Sequence, residues 1–162
     1  MTLAGYELEI IGFDRDKAYD NPDLHTITLM AKTLLPAQRM HSGACERGWI
    51  DTELRKHLNN TVLDSLPDEL LSHILSVPKI THNYKGEAFE TVDSLFIPSE
   101  SELFGSAIYA ECEDGKRYEA FATRKDRIRV DEDGDADWYW TRSADYNQYP
   151  LCLQLKYWHL LL

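Results

Sequence analysis

The sequence predicts a single α+β domain over residues 1–162, a twisted antiparallel sheet with two main short helices, and three observations lead there. Apolar residues alternate with acidic ones over residues 6–13, the period of a strand with one buried face, and a β-branched run returns over residues 26–31. Helix-capping residues precede short apolar stretches at Asp51, Ser65 and Ser99. No internal repeat, low-complexity tract or linker divides the 162 residues, and a chain of about 150 residues buries roughly 70% of its unfolded surface without staples. The 43% hydrophobic content is that of a globular chain, since disordered chains lack the apolar surface to offset chain entropy.

Each element has its own local reason. Residues 14–22 read as a loop joining the first two strands, and residues 35–47 show no period. Asp51 is placed to N-cap a short helix in which Leu54 and Leu58 stack at i and i+4, with Asn59-Asn60 as its stop. Ser65 to Glu69 supply a cap, an early proline and first-turn acids for a second helix whose apolar stripe is Leu70, Leu71 and Ile74. Residues 77–81 read as extended and 94–97 as a buried strand. Ser99 and Glu102 form a capping box for a short helix through Leu103 and Phe104 that Gly105 ends. Further extended segments are expected at 106–111 and 117–121, around a turn at Asp114-Gly115, and residues 130–137 form an acidic loop.

Two blocks place large aromatics beside an arginine: Gly48-Trp49 with Leu54-Arg55 and Leu58-Asn59, and Trp138-Tyr139-Trp140-Thr141-Arg142-Ser143. Such rings are costly unless buried, and a guanidinium among them needs a carboxylate partner or a ring to stack on. Trp49, Arg55, Asn59, Trp140 and Arg142 are therefore expected to be structural anchors. His41 and Cys45, with His57 and His73 elsewhere, are zinc-type ligands without the four-ligand spacing. Asp131, Asp133, Asp135 and Asp137 alternate like the carboxylates of a calcium loop, but Ala136 stands where the tight-turn glycine belongs and Arg142 where the bidentate glutamate belongs. Ser99 is explained as a cap. With no nucleophile beside a base and no phosphate loop, the expectation is no catalytic residue, no metal and no cofactor.

These blocks resemble a domain family of unknown function common in gut bacteria and their phages, marked by G-W-x-x-S-x-L/M-R-x-W-L-N, then D-x-L/F-F-L-P/L-S-x-x-E, then W-W-L-R-S. The second block is carried by Asp93, Phe96, Pro98, Ser99 and Glu102, and residues 6–13 are similar to the family's Y-x-I-x-I-I-G-F strand. The chain departs at Thr52, His57, Tyr139 and Thr141, where the family has Ser, Trp, Trp and Leu, and it looks like a shortened member. More distantly it is similar to the C-type-lectin-like fold of sulfatase-modifying factors and phage receptor-binding variable proteins, which implies a twisted antiparallel sheet flanked by two helices. The paired active-site cysteines of the sulfatase-modifying enzymes are not matched by Cys45, Cys112 and Cys152.

The formal charge of −11 argues against direct binding to nucleic acid, whose affinity comes from Lys and Arg displacing counterions. A protein partner with a basic surface suits it, and Glu111, Glu113, Asp114, Asp131, Glu132, Asp133, Asp135, Asp137 and Trp138 are the candidate partner-binding residues. The leading expectation is a non-enzymatic phage or mobile-element binding protein, in one version an inhibitor filling the nucleic-acid channel of a host defence nuclease such as a CRISPR effector. The alternative is a carbohydrate- or cell-surface-binding module in which Trp138, Tyr139, Tyr146 or Tyr149 stack on sugars. An enzyme assembled from dispersed residues is the third reading. No secretory signal is visible, the apolar end at Leu160-Leu161-Leu162 is too short and interrupted to span a bilayer, and three unpatterned cysteines suit reduced thiols, so no membrane contact and a cytoplasmic location are expected.

Overall fold

Alternation at the start of the chain builds the first sheet of the computed structural model, which describes residues 2–3, 6–145 and 152–155. Tyr146, Tyr149 and Leu160-Leu161-Leu162 lie outside the described residues. Strands β1 (Thr2–Leu3), β2 (Tyr6–Phe13) and β3 (Ile27–Ala31) pair antiparallel in the order β1-β2-β3. A bulge between Ile10 and Gly12 opposes an extra residue to β3, so that Ile11 and Gly12 both turn inward while Ile10 and Phe13 stay on the outer face. Only glycine fits at position 12, because a Cβ there would meet Tyr118 Cδ1 at 2.9 Å.

β4 (Val77–His82) and β5 (Ala88–Asp93) form a hairpin in which Val77 faces Asp93 and Ile80 faces Glu90. Asn83 organises its turn, its Oδ1 accepting from the backbone N–H of Lys85 and Glu87 at 2.9 Å each. The hairpin is inverted in polarity. Lys79, Thr81, Thr91 and Asp93 face the interior, whereas Ile80 is 54% exposed and Val92 lies open on the same outer side.

The first helical region begins with a 3-10 turn, Gly48–Asp51, that seats Trp49 at 0% exposure, and continues as α1 (Glu53–His57) and a π turn, Leu58–Val62. The cap is Thr52, whose side chain accepts from Arg55 N, and not Asp51, which pairs with Arg47 instead. Asn59 does not stop the helix. Its Nδ2 donates to Arg55 O and Leu95 O while its Oδ1 accepts from the N–H of Ser94 and Leu95, tying the helix to the chain beyond β5. α2 (Asp68–Leu71) follows Pro67 without a side-chain cap and buries no residue. α3 (Glu100–Phe104) has the full Ser99/Glu102 capping box and ends at Gly105 in the left-handed region, φ 90°. β6 (Tyr139–Ala144) pairs antiparallel with β7 (Cys152–Leu155).

The described residues thus form a mixed α and β fold with three short antiparallel sheets, not the one continuous sheet expected. Side chains explain the difference. Segments 94–97 and 106–111 are irregular because Asn59 takes the N–H groups of residues 94 and 95, and Glu100 Oε2 takes those of Ile108, Tyr109 and Ala110 at 2.9–3.0 Å. With their donors bound by carboxylate and amide oxygens, these segments have no ladder to offer a neighbouring strand. Segment 117–121 closes as a 3-10 turn, Glu119–Phe121. Strand β5, with the strand-prone Phe89, Thr91 and Val92, is returned onto β4 by the Asn83 turn.

Two apolar clusters fill the interior, one of Met40, Trp49, Leu54 and Leu58 with Trp140 packed against it, the other of Ile11, Leu103, Tyr118 and Phe121 with Met30 and Tyr139 packed against it. Asp93, at 0% exposure, joins the first cluster to the hairpin. Its carboxylate accepts from Trp49 Nε1 at 3.0 Å, Arg55 Nε at 2.7 Å and Thr91 Oγ1 at 2.7 Å. Removing it would leave three donors without their acceptor, so Asp93→Ala is expected to cost ~3–5 kcal/mol. Removing the exposed Arg47 guanidinium from Asp51 is expected to leave the midpoint of urea unfolding unchanged; the two variants compared in one urea series check both outcomes.

Candidate functional site

The inverted hairpin brings its Lys79 against the capping carboxylate of α3 and the arginine of β6. Arg142 makes a two-pronged pair with Glu102, Nη1 to Oε2 at 2.5 Å and Nη2 to Oε1 at 2.9 Å, the planar fork that guanidinium and carboxylate share. Glu102 Oε1 also accepts from Lys79 Nζ at 2.9 Å, and Lys79 reaches on to Asp16 and to Tyr118 OH at 3.0 Å. Tyr118 OH donates to Asp16 Oδ2 at 2.8 Å, and Thr28 Oγ1 donates to the same atom at 2.5 Å. The Phe96 ring covers the ammonium at 4.0 Å. Two cations and two carboxylates neutralise one another here, and Lys79, Glu102 and Arg142 are 5%, 4% and 1% exposed.

Charges this deep persist because every partner is present. Burial acts to raise the Glu102 pKa, but Arg142 and Lys79 outweigh it and hold the carboxyl below the ordinary range. Burial also works against the charge on Arg142, and Glu102 overcomes it and pushes the guanidinium up. Tyr118 is pushed far above the usual phenol range, first by burial and then by the negative charge of Glu102 and Asp16, so its hydroxyl stays a donor. With its charges mutually paired, the cluster ties β4, α3, β6 and the 14–26 connection together.

Two further carboxylates are enclosed nearby. Asp114, 2% exposed, accepts from the backbone N–H of His82 at 3.2 Å and pairs with His82 Nδ1 at 2.6 Å. Its own backbone is held by Ser101 Oγ, which accepts from Asp114 N at 3.2 Å, and by Ser99 Oγ, which donates to its carbonyl. Burial raises the Asp114 pKa against the pull of His82. Asp114 is therefore an internal support of the hairpin, and its expected role on a partner-binding surface is corrected. Glu100, at 0% exposure, clamps the 108–110 backbone through Oε2, while its Oε1 has no hydrogen-bond partner among the described residues.

The exposed acids expected to bind a partner occupy two loops, one beside the β4–β5 hairpin and one attached to the end of β3. Glu111 sits beside the β4–β5 turn, its Oε2 3.9 Å from where a Gly86 Cβ would lie, and Glu113 is exposed in the same loop. Loop 131–137 is attached to the end of β3 through the bridge between Thr33 and Val130. Asp131 Oδ1 accepts from the N–H of Asp133 at 3.0 Å and of Asp135 at 2.9 Å, which folds the loop on itself, and Gly134 takes the left-handed conformation at φ 87°. Glu132, Asp133, Asp135 and Asp137 are left exposed, and Trp138 is half-buried. Among the described residues no group of three or more His, Cys, Asp or Glu side chains is placed to hold a metal ion, and no helix is long and apolar enough to cross a membrane. Cys45 is buried and donates to Gly48 O, and burial pushes its thiol up to about 11.

The anchor residues meet carboxylates. Arg55 pairs with Asp93 and Arg142 with Glu102, while Trp140 donates from Nε1 to Gln38 O at 3.0 Å. Tyr139 packs into the second cluster and its hydroxyl donates to Arg127 O at 2.9 Å, so it is not a free stacking platform. Sequence reasoning missed that Asp16, Lys79 and Tyr118 meet Glu102 in one network, and that His82, Asp93 and Glu100 each hold a separate contact. A lysine between Pro78 and Ile80 reads as the solvent side of a strand, and no local signal reverses that.

Because the folded Glu102 pKa lies below its unfolded value of about 4.3, its stabilisation is fully present above that pH and is lost as pH falls through the folded value. Asp114, with a raised value, contributes in the opposite direction, its burden easing as it is protonated. Glu102→Gln is expected to cost ~3–5 kcal/mol at neutral pH and to flatten the acid loss of stability below about pH 4, read from urea melts across a pH series.

No curated protein and no solved structure matches the chain. A family model described as a domain of unknown function, DUF6273, matches residues 25–153. The matched span runs from just before β3 into β7 and contains Lys79, Asp93, Glu102 and Arg142, the residues that hold the three sheets together. On that match the chain belongs to DUF6273, a family of domains of unknown function.

Proposed function

We propose that the chain is a non-enzymatic binding protein that engages a protein partner with a basic surface, using the exposed acids of loop 131–137 together with Glu111 and Glu113. The supporting observation is the division of charge in the fold. The buried Lys79, Arg142 and Glu102 and the half-buried Asp16 neutralise one another, whereas Glu132, Asp133 and Asp135 stand exposed on a loop that Asp131 holds in one shape, with no ion pair to them among the described residues. A preorganised carboxylate loop loses little entropy on docking and steers a positive surface by its field. Exposed carboxylates present the same sign of charge as a phosphate backbone, so a nucleic-acid-binding nuclease in a bacterial cytoplasm is the partner this reading favours. A lectin-like arrangement of the strands and a phage or mobile-element origin belong to the same proposal.

The test uses the tagged chain and a variant carrying Glu132→Gln, Asp133→Asn and Asp135→Asn, which keeps Asp131 and so keeps the loop. Pull-downs from a bacterial lysate at low and high salt, with and without added DNA, are read by mass spectrometry. A nucleic-acid-binding protein that is retained at low salt, displaced by DNA and reduced about tenfold with the variant is the expected result. Capture that ignores salt, DNA and the three substitutions would overturn the electrostatic mechanism.

A further inference from the structure

The dipeptide Asp-Gly occurs twice in the chain, as Asp114-Gly115 and as Asp133-Gly134. An aspartyl carboxyl in this setting is open to attack by the backbone nitrogen of the next residue, because glycine carries no Cβ to shield that nitrogen or to stop the chain from rotating toward the ring. The fold treats the two copies differently. Asp114 is 2% exposed, and its carboxylate is taken by the backbone N–H and the Nδ1 of His82. At Gly115 the neighbouring space is filled, with Glu102 Oε1 2.9 Å and Glu102 Cγ 3.0 Å from where a Cβ would lie. The backbone there cannot turn without displacing the acid that Lys79 and Arg142 share.

Asp133 has none of these restraints. Its side chain is exposed, its carboxylate has no hydrogen bond or ion pair among the described residues, and nothing lies within 4 Å of a Cβ at Gly134. The attacking nitrogen is also the most loosely held of the tip. Asp133 N and Asp135 N donate to Asp131 Oδ1 at 3.0 and 2.9 Å and Asp131 N donates to Asp135 O at 2.9 Å, whereas Gly134 N donates to Asp131 O at 3.2 Å. A solvent-facing tip held by a few exposed bonds opens locally at far lower cost than the core does.

We propose that Asp133 is a site of spontaneous backbone rearrangement to isoaspartate, which undoes the shape of the acidic tip as the protein ages. Gly134 N forms a bond to Asp133 Cγ and closes a succinimide ring, while one carboxyl oxygen leaves as water with the amide proton and one proton from solvent. Water then adds to a ring carbonyl. Breaking the ring bond between the nitrogen and Cγ restores aspartate, and breaking the one between the nitrogen and the main-chain carbonyl leaves the chain running through the side chain, longer by a methylene, with a free α-carboxylate. Charge is kept and only water is exchanged. The added methylene lies between the Asp133 and Asp135 N–H groups that Asp131 holds, so both cannot be held as before. The rearrangement is independent of the acidic-loop reading, and only its consequence for a partner rests on that reading.

The purified chain is incubated for weeks in neutral buffer, with and without denaturing urea, and digested at intervals. Isoaspartate is located by electron-transfer fragmentation and by methyl transfer from an isoaspartyl methyltransferase. In the folded chain it is expected to form at 133 at least about tenfold faster than at 114, the gap that an opening cost of about 1.4 kcal/mol produces; in urea the two positions are expected to react alike. Asp133→Glu, which keeps the charge and the N–H given to Asp131 but would need a larger ring, is expected to abolish the product at that position. Hydrogen exchange at residues 133 and 135 is expected to quicken on ageing in the unsubstituted chain and not in Asp133→Glu. Equal rates at the two positions in the folded chain, or no product at 133, would overturn the site, and unchanged exchange after rearrangement would overturn its effect on the tip. A chain that rearranges as expected but captures no basic partner upholds this proposal and sinks the acidic-loop reading alone.

Discussion

One carboxylate sets the terms for the rest of the fold. Glu102 closes the N-terminus of α3 by accepting from Ser99 N, forks onto Arg142 of β6 and holds Lys79 of β4. An acid shared by three elements cannot be moved without exposing a guanidinium and an ammonium to apolar surroundings, so the positions of the hairpin, the helix and the last sheet are fixed together. The chain around it adapts accordingly. Gly115 takes φ 92° where a Cβ would lie 2.9 Å from Glu102 Oε1, so the loop carrying Asp114 closes over the carboxylate only with glycine at that point.

Local chemistry is legible in the sequence and the pairing of distant charges is not. The Ser99/Glu102 box and the Gly105 stop are visible because a cap, its reciprocal partner and its terminator lie within seven positions. Trp49, Arg55 and Arg142 are visible as residue types that demand burial and partners. Which carboxylates answer them is hidden, since Asp93 lies 38 positions from Arg55 and Glu102 lies 40 from Arg142. Asp114 misleads for a related reason. It follows Glu111 and Glu113 in a run that looks like solvated surface, and only the return of His82 beside it makes it internal.

Charge is sorted in this chain by depth. Inside, cations and anions meet in close pairs and each carboxylate holds a particular neighbour in place. Asp93 serves the tryptophan side, Glu102 the centre, Glu100 the 108–110 loop above it and Asp114 the ring of His82. The exposed surface carries the surplus of acid over base that gives −11 overall. Replacement of strand ladders by side-chain oxygens in segments 94–95 and 108–110 follows the same pattern. Those loops hold fixed shapes while remaining outside any sheet, which is how a small fold displays irregular backbone reproducibly.

The inverted polarity of β4–β5 bears on how the chain reaches its folded state. An ordinary amphipathic hairpin gains from collapse as soon as its apolar side finds cover, but here the side facing inward carries Lys79, Thr81, Thr91 and Asp93. Enclosing that side is unfavourable until Glu102, Arg142 and Trp49 have arrived to complete the bonds, and Arg142 lies 61 positions beyond Thr81, which its Nε contacts. Loops of that length must close before the hairpin is stabilised. Arg142, at 1% exposure, is enclosed favourably only with Glu102 and Thr81 in place, so β6 and the hairpin consolidate together.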